Sequence, residues 1–307
     1  MSFESLPKNE KTGVLKDPEI IHILNAVNFN TLRTIFNEHA IKSGVNSDNV
    51  TLVEREHIKK GGNFSDHMGI YRFETNDIHL NEGAINLFST QDTAPDKVAF
   101  VLSTLFHEET HALVGFKRTE QEEDALFGLL RKRTVFVKSG FQEAQKSYFI
   151  GNLGESTVKM CWFNEGMVDE MASDIFTEYL KRDPMKTLNP KKEMGFVEHY
   201  PLACLFVRCF REQITEVSGV PEEIVWNAMI HHYINNDSLF KDEIKEALEE
   251  VFSDQFINNL ASVETSFNNP VYTARAFKEV LTKERARRLF SSFTDTLVQN
   301  VNTFIRK

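Results

Sequence analysis

Cysteine is scarce in this 307-residue chain: Cys161, Cys204 and Cys209 are all there is, and no C-x-x-C pair occurs. An odd number in apolar surroundings excludes a disulfide framework and a thiolate zinc site, and reads as small buried hydrophobes of a reduced compartment. A clustered positive charge is also missing. Lys plus Arg number 35 against 45 Asp plus Glu, a net charge of −10, which argues against nucleic acid as a partner because phosphate binding needs a basic face. The first ten residues are polar and lack the apolar segment of a signal peptide. No apolar run has bilayer-spanning length; the strongest, residues 201–210, is short and contains Arg208. The expectation is a cytoplasmic protein with no membrane partner, with export by a leaderless route left open. No long heptad array stands out, so the oligomeric state is not legible.

Phe, by contrast, is plentiful at 26 residues. The chain is long enough to bury a substantial core, as one enlarged domain or as two closely packed lobes. Helical signals open it at residues 18–27 and 31–42, the second with Asn30 as expected N-cap. Between residues 50 and 88 the segments 50–57, 68–74, 78–80 and 84–88, separated by turn residues, predict a small and largely antiparallel sheet. Its free edge could pair with an extended peptide. A helix is expected over 95–116, and Thr119 with Glu122 forms a capping signal that predicts another to about Arg133. Residues 134–150, broken at Ser139-Gly140, read as a β-excursion or loop. Further helices are expected from about Cys161 to Lys181, over 202–217, after Pro221, and nearly throughout 241–307, where the basic run 283–288 reads as a solvated face. The fold class is α+β and mostly helical. Its expected divisions are an N-terminal helical lead (1–48), a catalytic region (49–182) and a helical C-terminal lobe (183–307).

The stretch that carries chemistry is His107-Glu108-Glu109-Thr110-His111. Val98, Val101, Leu102 and Leu105 recur at helical steps just before it, and residues four apart on a helix share a face. Two imidazoles so placed can each bring a nitrogen to a zinc ion, with Glu108 beside them to take a proton from water. Solvated His and Glu on the polar edge of an amphipathic helix would give the same letters. Catalytic zinc ordinarily has three protein ligands and one open position. Glu165, at the start of the next helix, is a suitable third, with Asp169 or Glu170 next in line. Asn164 as N-cap and Glu165 as a first-turn acid would explain that pair without metal. Asp169, one turn on, could accept a hydrogen bond from a ligand histidine, or be a solvated acid.

His107-Glu-Glu-Thr-His111 followed by Trp162-Phe-Asn-Glu165-Gly resembles the gluzincin metallopeptidases, the group of thermolysin and the aminopeptidase N family. The resemblance covers residues 78–210 and implies a thermolysin-like zincin core and peptide hydrolysis with one Zn²⁺ per chain. It implies His107, His111 and Glu165 as zinc ligands and Glu108 as general base. Asp169 matches an acid that follows the third ligand by one turn. Tyr200, before the next long helix, matches a tyrosine that stabilises the oxyanion. Glu109 puts a charge where the family usually has none, and the interval from His111 to Glu165 is long. The exopeptidase motif G-x-M-E-N has only a faint echo in Gly83-Ala84-Ile85-Asn86.

His231 and His232 are a further candidate pair for transition-state hydrogen bonds, and His199 is equally open to a packing or a site role. The expected function is that of a zinc metallopeptidase acting on a peptide or protein substrate. Two rivals use the same residues: a zinc-binding protein of this fold without turnover that acts as a binding or regulatory module, and a helical interaction protein without metal.

Overall fold

The computed structural model of the chain describes residues 13–236 apart from 47–49, 62–66, 91–95, 115–116, 126–129, 150–151, 184, 186–187 and 189–193. They form a mixed α+β fold in which helix predominates. Among them no helix is long and apolar enough to cross a membrane. The sequence readings for residues 241–307 lie outside the described residues. The chain divides into two compact units. One comprises the described part of Glu4–Gly115 with Val168–Tyr200; the other comprises Phe116–Met167 with the described residues from Pro201 onward.

The first unit opens with α1 (Pro18–Ala26) and α2 (Phe29–Lys42). Asp17 caps α1 by accepting from the Glu19 and Ile20 amides, and Pro18 fills the first helical position. The cap of α2 is Asn28 and not the expected Asn30, since Asn28 Oδ1 accepts from Thr31 N at 3.1 Å. Residues 50–57 are not a strand. They run as coil into a 3₁₀ turn at Arg55–His57 before β1 (Ile58–Lys60). β2 (Gly69–Arg72) and β3 (Asp77–Leu80) complete a three-stranded sheet of order β1-β3-β2. It is mixed, with β1 parallel and β2 antiparallel to β3. The expected strand at 84–88 is instead α3 (Glu82–Ser89), because Asn81 Oδ1 caps the Ala84 amide at 3.1 Å and starts a helix immediately after β3.

Against α1, α3, β2 and β3 lies α4 (Lys97–Val114), the helix that carries His107 and His111. It is buried from Val98 to Val114 on every face, so it has no solvated edge. Each polar side chain on such a helix needs a partner inside the protein. Ser103 Oγ accepts from Val197 N at 2.8 Å, Thr110 donates to Phe106 O at 2.8 Å, and Glu109 Oε2 accepts from Val53 N at 2.9 Å. On its apolar side Phe106 meets Phe176 and Tyr179 edge-on, at ring distances of 5.5 and 5.2 Å. These belong to α5 (Cys161–Arg182), an unbroken helix within which the division between the units falls.

The second unit contains a four-stranded antiparallel sheet of β4 (Lys117–Ala125), β5 (Leu130–Ser139), β6 (Gln142–Phe149) and β7 (Asn152–Lys159), ordered as in sequence. The helix expected from Thr119 to about Arg133 is therefore two strands. A capping signal needs an apolar stripe behind it, and Glu120-Gln121-Glu122 supplies none. The strand pairing satisfies the backbone from Lys117↔Lys138 to Ala125↔Leu130, and Glu120 bonds both Arg118 of its own strand and Arg133 of the facing one. Residues 134–149 resolve into the end of β5, a Gly140-Phe141 turn and β6, with Gly140 at φ +58° as a two-residue hairpin loop requires.

Then come the first turns of α5, α6 (Pro201–Ser218) and α7 (Glu222–Ile234), with α6 against α7. Trp162 and Phe163 meet Phe206, and Phe163 also meets Phe210, at ring distances of 4.9 to 6.1 Å. At Gly166 the backbone of α5 packs tightly on α6. A Cβ there would lie 2.6 Å from the Ala203 carbonyl oxygen, which is backbone and cannot rotate away. Gly166→Ala is expected to lower stability by about 1–3 kcal/mol or more, read from the urea midpoint; an unchanged midpoint would mean that α6 is free to retreat.

Candidate metal centre

α4 places His107 and His111 four residues apart on one face, with Nε2 atoms 3.2 Å from each other. Both are buried, at 1 % and 9 % exposure. The other nitrogen of His107, Nδ1, lies 2.7 Å from Asp169 Oδ1. Asp169 is itself fully buried on α5. Burial would push its carboxyl up, but the two histidines beside it, His107 and then His199, outweigh that and hold it well below the usual carboxylate range. An ionised carboxylate only accepts, so the proton of this hydrogen bond sits on His107 Nδ1, and in the neutral ring that a metal would require Nε2 carries the lone pair.

Asp169 holds more than one group. Its Oδ1 also accepts from His199 Nδ1 at 3.3 Å, and its Oδ2 accepts from the Tyr200 amide at 2.7 Å. His199 Nε2 lies 3.1 Å from Thr104 Oγ1. The His199 and Tyr200 rings lie 4.8 and 5.6 Å from that of His107. One carboxylate thus fixes a ring of α4, a ring of the segment before α6, and the backbone of Tyr200. His199 and Thr104 were the less legible members. Thr104 stands three residues before His107, on the same helical face, which is the one signal that could have marked it.

Glu165 stands one turn before Asp169 on the same unbroken helix, so α5 itself places the two carboxyls on one side. It is fully buried. His107 and His111 belong to the first unit and Glu165 to the second. Asn164 is not an N-cap: α5 begins at Cys161, and Asn164 N bonds Met160 O at 2.9 Å, so both residues sit inside the helix. Asp169 has both oxygens engaged by hydrogen bonds, which suits a holding role better than ligation. Glu170 is turned about 100° around the helix from it.

Do these residues fit a zinc ion? Two ligands at about 2.0–2.1 Å and a tetrahedral angle subtend about 3.3 Å, close to the 3.2 Å between the two Nε2 atoms. A buried pair of imidazoles, one with its lone pair fixed outward by a carboxylate, plus a buried carboxylate, is the donor set of such a site. They fit.

Glu108 shares the neighbourhood but points to the sheet. Its Oε2 accepts from the backbone amide of Tyr71, on edge strand β2, at 2.7 Å. β2 can come this near because residue 69 is glycine: a Cβ there would lie 2.6 Å from Thr104 Cγ2 and 3.0 Å from both Cγ and Oε1 of Glu108. Gly69→Ala is therefore expected to displace Glu108 or Thr104. If Glu108 is the base, a shift of that size should cost about 10–100-fold in turnover, and kcat of the variant is the measurement. Turnover equal to wild type would show that the fit at Gly69 does not matter to the base.

Glu109, the unexpected charge within the motif, faces away from Glu108 toward Val53. Burial pushes its carboxyl up to about 8, against a smaller opposing effect of the Val53 amide. At neutral pH it is predominantly protonated and brings little charge to the helix. His231 and His232 lie on α7, in the other unit, where His231 Nε2 pairs with Asn235 Nδ2 at 3.1 Å. Compared with protein-family models, with curated proteins and with solved structures, the chain matches none.

Proposed function

We propose that the chain is a zinc-dependent peptidase of gluzincin type, with a thermolysin-like core, in which His107, His111 and Glu165 hold one zinc ion and Glu108 is the general base. The observation that carries this reading is the pair of Nε2 atoms at 3.2 Å with the back of His107 tied to a buried, ionised Asp169. A chance pattern on a solvated helix would have no reason to bury these groups together. The zinc ion, when bound, supplies Lewis acidity toward a water and the scissile carbonyl.

The rest is done by the protein's own side chains. Glu108 takes a proton from the attacking water and returns it to the leaving amine. One of its oxygens is steadied by the Tyr71 amide, and a carboxylate has lone pairs to spare for the water. Asp169 fixes the tautomer of His107 and, through the Tyr200 amide, the start of the segment that carries the Tyr200 phenol. Tyr200 is proposed to donate its hydroxyl to the oxyanion, worth a few kcal/mol in the transition state. Because β2 is an edge strand and meets α4 at Glu108, an extended peptide laid along that edge would pass the base. Zinc-loaded protein incubated with a mixed peptide library should produce new termini, cease to do so with a chelator, and resume on zinc addition. Full zinc occupancy with no cleavage of any peptide would instead favour a binding module.

A further inference from the structure

The Gly140-Phe141 turn, α7 and the start of α5 meet around one buried phenol. Tyr233 of α7 is fully buried. Its ring lies 5.8 Å from that of Phe141, which in turn lies 5.7 Å from Phe163, two residues before Glu165. Gly140 allows this closeness. A Cβ there would run into the edge of the Tyr233 ring and lie 2.5 Å from Asn164 Oδ1, so the phenol ring and the side chain preceding Glu165 border the same glycine. Asn164 Oδ1 and Asn236 Oδ1 clamp the turn by accepting from Phe141 N at 3.1 Å and Gly140 N at 2.6 Å.

In this cluster the Tyr233 hydroxyl is the anomaly. It is buried and makes no hydrogen bond among the described residues. A buried hydroxyl without a partner costs about 1–3 kcal/mol, and phenylalanine would pack the same space without that cost. Burial and then the nearby Glu165 charge raise the phenol well above its ordinary pKa, so the hydroxyl keeps its proton and is a donor in the neighbourhood of that carboxylate, with no hydrogen bond joining the two in this structure. Carboxylates that bind metals are themselves commonly hydrogen-bonded, which fixes the oxygen offered to the metal.

We infer that Tyr233 is the positioning residue of Glu165: its hydroxyl donates to one carboxylate oxygen when the other is engaged by the metal. This rests on the zinc reading above and extends it to a residue on α7 that lies nearly seventy positions further along the chain.

The test is zinc affinity by competition with a chromophoric chelator, for wild type, Tyr233→Phe, Glu165→Ala and the double variant, with thermal unfolding of each metal-free protein alongside. Tyr233→Phe should weaken zinc binding by about 10–100-fold while the metal-free protein unfolds at the same temperature or higher. In the Glu165→Ala background it should cost nothing further. Zinc affinity equal to wild type, or an equal loss with and without Glu165, would overturn the inference and leave the zinc site standing. Loss of metal-free stability in Tyr233→Phe, with no change in affinity, would assign the hydroxyl to the core. No zinc binding by wild type would remove the parent reading, and this one with it.

Discussion

Glu108→Gln should abolish most peptide hydrolysis, a fall on the order of 10²–10⁴-fold in kcat, with zinc content and unfolding temperature unchanged. The amide has the size of the carboxyl and keeps an oxygen to accept from Tyr71 N, so β2 has no reason to move from α4. What it lacks is the ability to take a proton. The tight fit around Gly69 makes this variant a clean one, since nothing larger or smaller is introduced between Thr104 and β2. Steady-state kinetics beside metal analysis make the measurement. Undiminished kcat would remove Glu108 from the mechanism.

Asp169→Ala should be the most damaging single change in the site. The wild-type carboxylate accepts from His107 Nδ1, His199 Nδ1 and the Tyr200 amide, all at or near full burial. Truncation leaves these donors without that acceptor, each at about 1–3 kcal/mol, and a loss of about 3–5 kcal/mol in stability is expected. Asp169→Asn separates the two roles. It retains an oxygen for one ring N–H, so most of the fold should survive, but its amide nitrogen cannot accept from the Tyr200 amide. Zinc affinity should then fall by about 10–100-fold. Denaturant titration with chelator competition distinguishes the cases, and an Asn variant that binds zinc as tightly as wild type would show that Asp169 does not tune the histidine.

The histidine pair and its helix were legible because two periodicities coincide there: the apolar 3–4 spacing of Val98 to Leu105 and the four-residue step of the motif. The sequence suggested an amphipathic helix, however, and α4 is buried on every side. Burial on the second side comes from long-range partners such as Val53 and Val197, which no local pattern reveals. The same blindness produced the false helix after Thr119, where a local capping signal lost to pairing with β5, and the false strand at 84–88, where the Asn81 cap outweighed apolar content. Asp169 was readable as a holder of His107 from its one-turn offset to Glu165. Its grip on His199 and Tyr200 was not, since that depends on how the segment before α6 returns to α4.

The measurement that bears most directly on the central claim is zinc per chain in purified, reconstituted protein, for wild type and Glu165→Ala in parallel. The predicted result is stoichiometric zinc in wild type and marked loss in the variant, because two histidines alone leave the site a ligand short. Wild-type protein that takes up no zinc would contradict the account, and retention of full occupancy by Glu165→Ala would contradict its choice of third ligand.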